Sequence, residues 1–128
     1  MILVDTSSWI HFLRPKGDRD VRARVERALT EGEACWCGLV RLELWIGARG
    51  QREGAVLRDL EKALPELLID DAVWAESYEL ARRARGRGIT IPATDVLIAA
   101  CANYHGASIE TADSDFESLG PLLAKSPT

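Results

Sequence analysis

The chain lacks an apolar stretch approaching the ~20 residues needed to cross a bilayer. Its N-terminus carries neither the basic region nor the long apolar core of a secretory leader, and a cytoplasmic location is expected. Soft metal ligands are scarce. There are two histidines and three cysteines; His11 and His105 stand far apart, and Cys35, Cys37 and Cys101 show no zinc-site spacing. Cys35 and Cys37 flank Trp36 in an expected strand, where they share one face as small hydrophobes. A basic excess is missing too. The formal net charge is −4, which argues against indiscriminate nucleic-acid binding. That balance conceals clustering, however. Apart from Lys16, Lys62 and Lys125 the 16 basic residues are arginines, grouped at Arg14 to Arg27 and at Arg82, Arg83, Arg85 and Arg87, the side chain that best matches phosphate.

What is present fits one globular domain over residues 1–128, with 47% apolar and 28% charged residues and enough chain to bury a core. Ile2, Leu3 and Val4 form a continuous apolar run, expected as a central strand buried on both faces of a parallel sheet. Asp5 ends it, and Thr6, Ser7 and Ser8 offer cap hydroxyls to a short helix expected to begin near Trp9. Open α/β sheets place ligands at the C-terminal edge of their strands. The opening strand therefore presents one carboxylate where a site would lie.

After a break at Arg14-Pro15-Lys16-Gly17, a helix starts around Asp18 and Asp20 and runs on Val21, Val25, Ala28 and Leu29, with Gly32 just past its end. Ala34 to Cys37 is expected as a strand. In the helix from Leu39 to Arg49, a rotation of about 100° per residue puts Glu43 among Leu39, Val40 and Ile46, on the apolar side. A carboxylate there requires a partner, a proton or a cation. A polar break at Gly50 to Gly54 precedes an amphipathic helix, Ala55 to Leu64. Leu67 to Ile69 is a short strand candidate. Asp70 or Asp71 then caps a helix whose core stripe is Val73, Trp74, Ser77, Tyr78, Leu80, Ala81 and Ala84.

The helix from Thr94 to Gly106 is apolar nearly all round, which marks it as buried; Asp95 lies in its first turn, where the helix dipole favours negative charge. Ala107 to Thr111 is the next strand, interrupted by Glu110. Asp113 and Asp115 follow it directly and so repeat the placement of Asp5. A last short strand is expected at Leu122 to Ala124, with a frayed tail over Ser126 to Thr128. Strands alternating with helices give an α/β fold, an α/β/α sandwich with a mostly parallel sheet of four to five strands.

Each acid alone has an ordinary reading as a cap or a turn residue. Together they converge on one end of the sheet, where mutual repulsion raises their pKa values unless a cation intervenes. Oxygen ligands favour Mg²⁺ or Mn²⁺. These blocks, Ile2 to Trp9, Leu42 to Gly47 around Glu43, Thr94 to Ala100 and Thr111 to Phe116, resemble in order those of the PIN-domain nucleases. The small size is most similar to the VapC toxins of toxin–antitoxin pairs.

The resemblance implies a Mg²⁺- or Mn²⁺-dependent endoribonuclease. Its acidic set would be Asp5, Glu43, Asp95 and Asp113, with Asp5, Asp95 and Asp113 holding metal. Asp115 would be an auxiliary acid, and Thr6 and Thr111 would orient a carboxylate or water. It also implies RNA as substrate, a VapB-type antitoxin, and a homodimer, heterotetramer or larger complex. Glu110 departs from the family's apolar strand residue. Two rivals are a non-catalytic PIN-like binding module and an aspartate-based phosphatase or receiver domain; the phosphatase would want an acid where Ser7 stands.

Overall fold

The computed structural model describes residues 1–123. Its centre is a four-stranded sheet in the order β3-β2-β1-β4, formed by β1 (Ile2–Val4), β2 (Ala34–Cys37), β3 (Glu66–Leu67) and β4 (Ser108–Glu110). Every pairing is parallel. β1 is an inner strand, with Leu3 opposite Cys35 on one side and Ile109 on the other. Leu3, Val4, Cys35 and Cys37 are fully buried, as expected for strands covered on both faces. The three cysteines are buried free thiols.

Helices flank the sheet: α1 (Thr6–Leu13), α2 (Arg19–Thr30), α3 (Gly38–Gly47), α4 (Gly50–Ala63), α5 (Asp71–Gly86), α6 (Ala93–Tyr104) and α7 (Asp115–Leu119). α2 starts on Asp18, whose carboxylate accepts the Val21 N–H at 2.9 Å, and stops at Gly32. The left-handed φ of +69° there lets Gly32 N–H reach Leu29 O at 3.1 Å and Glu33 N–H reach Ala28 O at 2.9 Å, closing the last carbonyls in a Schellman motif. Asp70 caps α5 through the Val73 N–H at 3.1 Å. α6 is the buried helix expected from its sequence, with Val96 through Ala102 inside.

The expected elements need correcting in several places. α1 begins at Thr6 rather than near Trp9, because the Asp5 carbonyl already accepts the Ser8 and Trp9 N–H groups, each at 3.1 Å. The three hydroxyls therefore stand inside the first turn and turn towards acids. The polar stretch from Gly50 is the start of α4, not a break: the Glu53 carboxylate reaches back to the Arg49 N–H at 2.9 Å and supplies an N-terminal cap of its own. On α3 the inward side is Val40 and Leu44, whereas Ile46 is 77% exposed, so Glu43 is not embedded beside it. Trp74 and Tyr78 of the expected α5 stripe are also exposed.

β3 spans only Glu66–Leu67. In place of the expected last strand, Leu122 closes a 3₁₀ turn, Gly120–Leu122. Ala124 and the tail at Ser126 to Thr128 lie outside the described residues. Among the described residues, no helix is long and apolar enough to cross a membrane.

Trp9 and Trp36 settle as core, packed edge to face at 6.2 Å. Trp45 and Trp74 reach the surface. Glu110, the odd acid of β4, is satisfied from two helices: Ser8 Oγ donates to it at 2.8 Å and Arg24 Nε at 2.6 Å. That clamp ties α1 and α2 to β4.

Candidate metal centre

Asp5 leaves β1 at its C-terminal end and is almost fully buried, at 3% exposure. Its backbone N–H donates to Glu110 O at 2.9 Å, which continues the β1–β4 ladder up to the carboxylate. One carboxylate oxygen, Oδ2, accepts two hydroxyls, Ser7 Oγ at 2.9 Å and Thr111 Oγ1 at 3.0 Å. Two charge-assisted bonds to one oxygen hold the side chain in a single orientation.

Ser7 does more than the helix cap its position suggested. It also accepts the Ala112 N–H at 3.0 Å and so draws the loop after β4 over the end of β1. Thr111 accepts the Asp113 N–H at 2.9 Å, and Asp113 Oδ1 in turn accepts the Asp115 N–H at 2.9 Å, an Asx turn that starts α7. Thr6 faces the other way and donates to Glu43 Oε1 at 2.7 Å. The two hydroxyls after Asp5 thus orient Glu43 of α3 and hold the β4–α7 loop.

Asp95 arrives on the first turn of α6. One oxygen from each of Asp95, Asp113 and Asp115 lies within 4.8 Å of the others. Asp5 and Glu43 stand close enough to act on the same group: burial first, then the charges of Asp5, Asp113, Asp115 and Glu43, push Asp95 up to about 6. The fold brings all five acids to one edge of the sheet. The tight trio includes Asp115, from which only an auxiliary role was expected, while Asp5 stands beside it as a hydroxyl-pinned neighbour. Thr6 and Thr111 both bond a carboxylate of the set.

The donor set fits a hard divalent cation. All the donors are carboxylate oxygens, and among the described residues the ion pairs occupy Glu53, Glu61, Glu66, Glu79 and Glu110, so no arginine or lysine neutralises these acids. Such a cluster gains by binding a cation of the Mg²⁺ class. The clustered arginines suited to phosphate are partly engaged elsewhere: Arg14 with Glu53 and the Gly47 carbonyl, Arg22 with the Arg14 carbonyl, Arg83 with the Leu122 carbonyl.

The sequence reading missed Ser7, the Glu110 clamp and the buried Glu53. Only Glu110 carried a signal, as an acid within a strand.

The raised Asp95 has a thermodynamic consequence. Its folded pKa lies above the unfolded value, so its protonated form is favoured on folding. In chelator, the stability it contributes is fully present below pH 3.8 and is lost as pH rises to about 6, with no further change above. The melting temperature of Asp95→Asn minus that of the parent chain should therefore widen between pH 4 and 6 and then level off. A difference flat across that range in thermal melts would contradict the raised pKa that burial and the neighbouring acids give Asp95.

A family model described as PIN domain matches residues 2–121. Ribonuclease VapC11 of Mycobacterium tuberculosis is 36% identical over 126 residues, 95% of this chain and 93% of that protein. A solved structure of FitAB bound to an IR36 DNA fragment superposes with a TM-score of 0.77 at 25% identity, over 93% of this chain and 90% of that one. The VapBC2 structure from Rickettsia felis, bound to a DNA fragment from its promoter, has the same fold at 18% identity, with a TM-score of 0.76 over 98% of both chains.

Proposed function

The chain belongs to the PIN-domain family, and from that premise we propose that it is a VapC-type toxin, a Mg²⁺- or Mn²⁺-dependent endoribonuclease restrained by a VapB-type antitoxin. Residues 1–128 form its single nuclease domain in this reading. The observation that carries it is the convergence of Asp5, Glu43, Asp95, Asp113 and Asp115 with no basic partner among the described residues, where burial first and the neighbouring charges after it lift Asp95 to about 6. The names of the relatives, ribonuclease VapC11 and the FitAB and VapBC2 assemblies, support the substrate class and the antitoxin.

Asp95, Asp113 and Asp115 are the residues that would hold the ion, with Asp5 and Glu43 beside them; the expected set of Asp5, Asp95 and Asp113 shares two members with this trio. When bound, the cation lowers the pKa of a coordinated water and offsets the charge of the scissile phosphate. The protein supplies orientation. Ser7 and Thr111 fix the Asp5 carboxylate, Thr6 fixes Glu43, and the Asp113 turn fixes Asp115 relative to β4. Hydroxyls that hold carboxylates in this way sharpen both affinity and geometry. Without a cation the edge repels phosphate, so RNA binding is metal-dependent.

The test is expression with and without the product of a neighbouring antitoxin gene, followed by cleavage of total RNA by the purified protein in Mg²⁺, Mn²⁺ or EDTA. Growth arrest relieved by the neighbour and cleavage abolished by EDTA are expected. Cleavage that persists in EDTA would remove the metal from the mechanism. Tight metal binding with no cleavage of any RNA would favour the non-catalytic module.

A further inference from the structure

Beside the acidic edge lies a groove of about 410 Å³ whose wall includes Asp113 itself, together with His11, Asp18, Val21, Arg24 and Glu117. Its charges say what it can hold. With Asp113 given over to the cation, the carboxylates of Asp18 and Glu117 face one guanidinium, and that guanidinium is already bonded through Nε to Glu110 at 2.6 Å. A phosphate would meet more repulsion than attraction there. An uncharged group with N–H donors would not.

His11 is the other informative residue. Its Nδ1 accepts the Asp18 backbone N–H at 2.9 Å, so the ring is held in one orientation and the neutral imidazole carries its proton on Nε2. An aromatic ring held in one orientation, on a wall shared with carboxylate acceptors, suits an unpaired nucleobase: stacking tolerates any base, and acceptors read the donors on its edge. Asp18 is partly committed as the cap of α2. Glu117 is exposed and is the freer acceptor. Guanine alone among the common bases offers adjacent imino and amino donors on its Watson–Crick edge, the fork that a carboxylate accepts.

We infer that this groove is a base-recognition subsite that seats the nucleobase next to the cut bond, with His11 as its stacking face and Glu117 as the acceptor that favours guanine. The inference rests on the RNA-cleaving reading and names the specificity element of that site. His11 and Glu117 are specificity residues here; neither takes part in bond breaking.

The experiment uses short oligoribonucleotides that differ only in the base flanking the cleaved bond: guanine, inosine (which lacks the 2-amino group) or adenine. For the unmodified chain, kcat/KM should favour guanine over inosine by roughly tenfold. Glu117→Gln should erase that ratio while its melting temperature holds, and His11→Ala should raise KM for all three bases with kcat little changed. A guanine-to-inosine ratio unaltered by Glu117→Gln would overturn the assignment, as would the absence of base preference at every flanking position. Titration with free guanosine and inosine, followed by the His11 ring proton signals, separates the two readings. Shifts seen with guanosine in a protein that cleaves no RNA would uphold the groove and remove the nuclease; cleavage without guanosine-specific shifts would do the reverse.

Discussion

Asp95→Asn is expected to lower metal-dependent RNA cleavage by roughly 10²- to 10⁴-fold and, in the same protein, to raise the melting temperature in chelator by a few degrees, of order 3 °C. The two effects have one cause. Asp95 is a half-buried carboxylate surrounded by Asp5, Asp113, Asp115 and Glu43, and in the absence of a cation its charge is opposed by all of them. The amide keeps the shape and removes the charge, relieving repulsion in the apo protein. It also removes an oxygen charge that a cation requires, so added Mg²⁺ should raise the melting temperature of the parent chain and much less that of the variant. Thermal melts with and without Mg²⁺, beside single-turnover cleavage, test both halves. A variant that cleaves normally would sink the site assignment. A variant that loses activity because it melts far below the parent would show Asp95 to be structural.

Glu53→Ala should cost about 2–4 kcal/mol of unfolding free energy, the largest loss expected from a single polar side chain in this protein. Glu53 is 5% exposed; one oxygen takes the Arg14 Nε at 3.0 Å and the other the Arg49 N–H at 2.9 Å. Its removal leaves a guanidinium without its acid and deprives α4 of its N-terminal cap. Burial raises the pKa of Glu53, but the Arg49 N–H and the Arg14 charge outweigh it, and the pKa ends below the ordinary value of 4.5. Its contribution is thus present above pH 4.5 and fades as pH falls through the folded pKa, opposite in sign to that of Asp95. Glu53→Gln keeps acceptor capacity towards Arg49 and should cost less than Ala. Urea melts at pH 7 read both; a loss for Ala below about 1 kcal/mol would show that solvent already screens the pair.

These two residues differ in how far the sequence announces them. Asp95 stands out because α6 is apolar nearly all round, and an acid in the first turn of such a helix demands attention. Glu53 lies in Gly50 to Gly54, five residues with no apolar side chain, which reads locally as a break. Its side-chain partner, Arg14 just past the end of α1, is visible only once that end meets α4. Glu110 is intermediate. An acid within a strand signals an unseen partner, but Ser8 and Arg24 are 102 and 86 residues away, and no local pattern names them. On α3, helical spacing correctly placed Val40 inward but took Ile46 for an inward residue and did not single out Leu44, which is buried. Periodicity reports which faces are apolar, and an apolar face left at the surface looks the same as one that is buried.

What the sequence by itself determined is the parallel α/β frame and the addresses of the acids. Runs such as Ile2 to Val4, caps such as Asp18 and Asp70, and terminators such as Gly32 act over a few residues, and their physics is complete within the segment. What only the tertiary structure decided is how the acids are held and which are nearest one another. Ser7 and Thr111 meet on one oxygen of Asp5, Thr6 turns to Glu43, and Asp115 joins Asp95 and Asp113 within 4.8 Å. Those relations join residues up to 106 positions apart. They follow from strand order and register, which place β1 beside β4 and bring α3 and α6 to the same edge of the sheet.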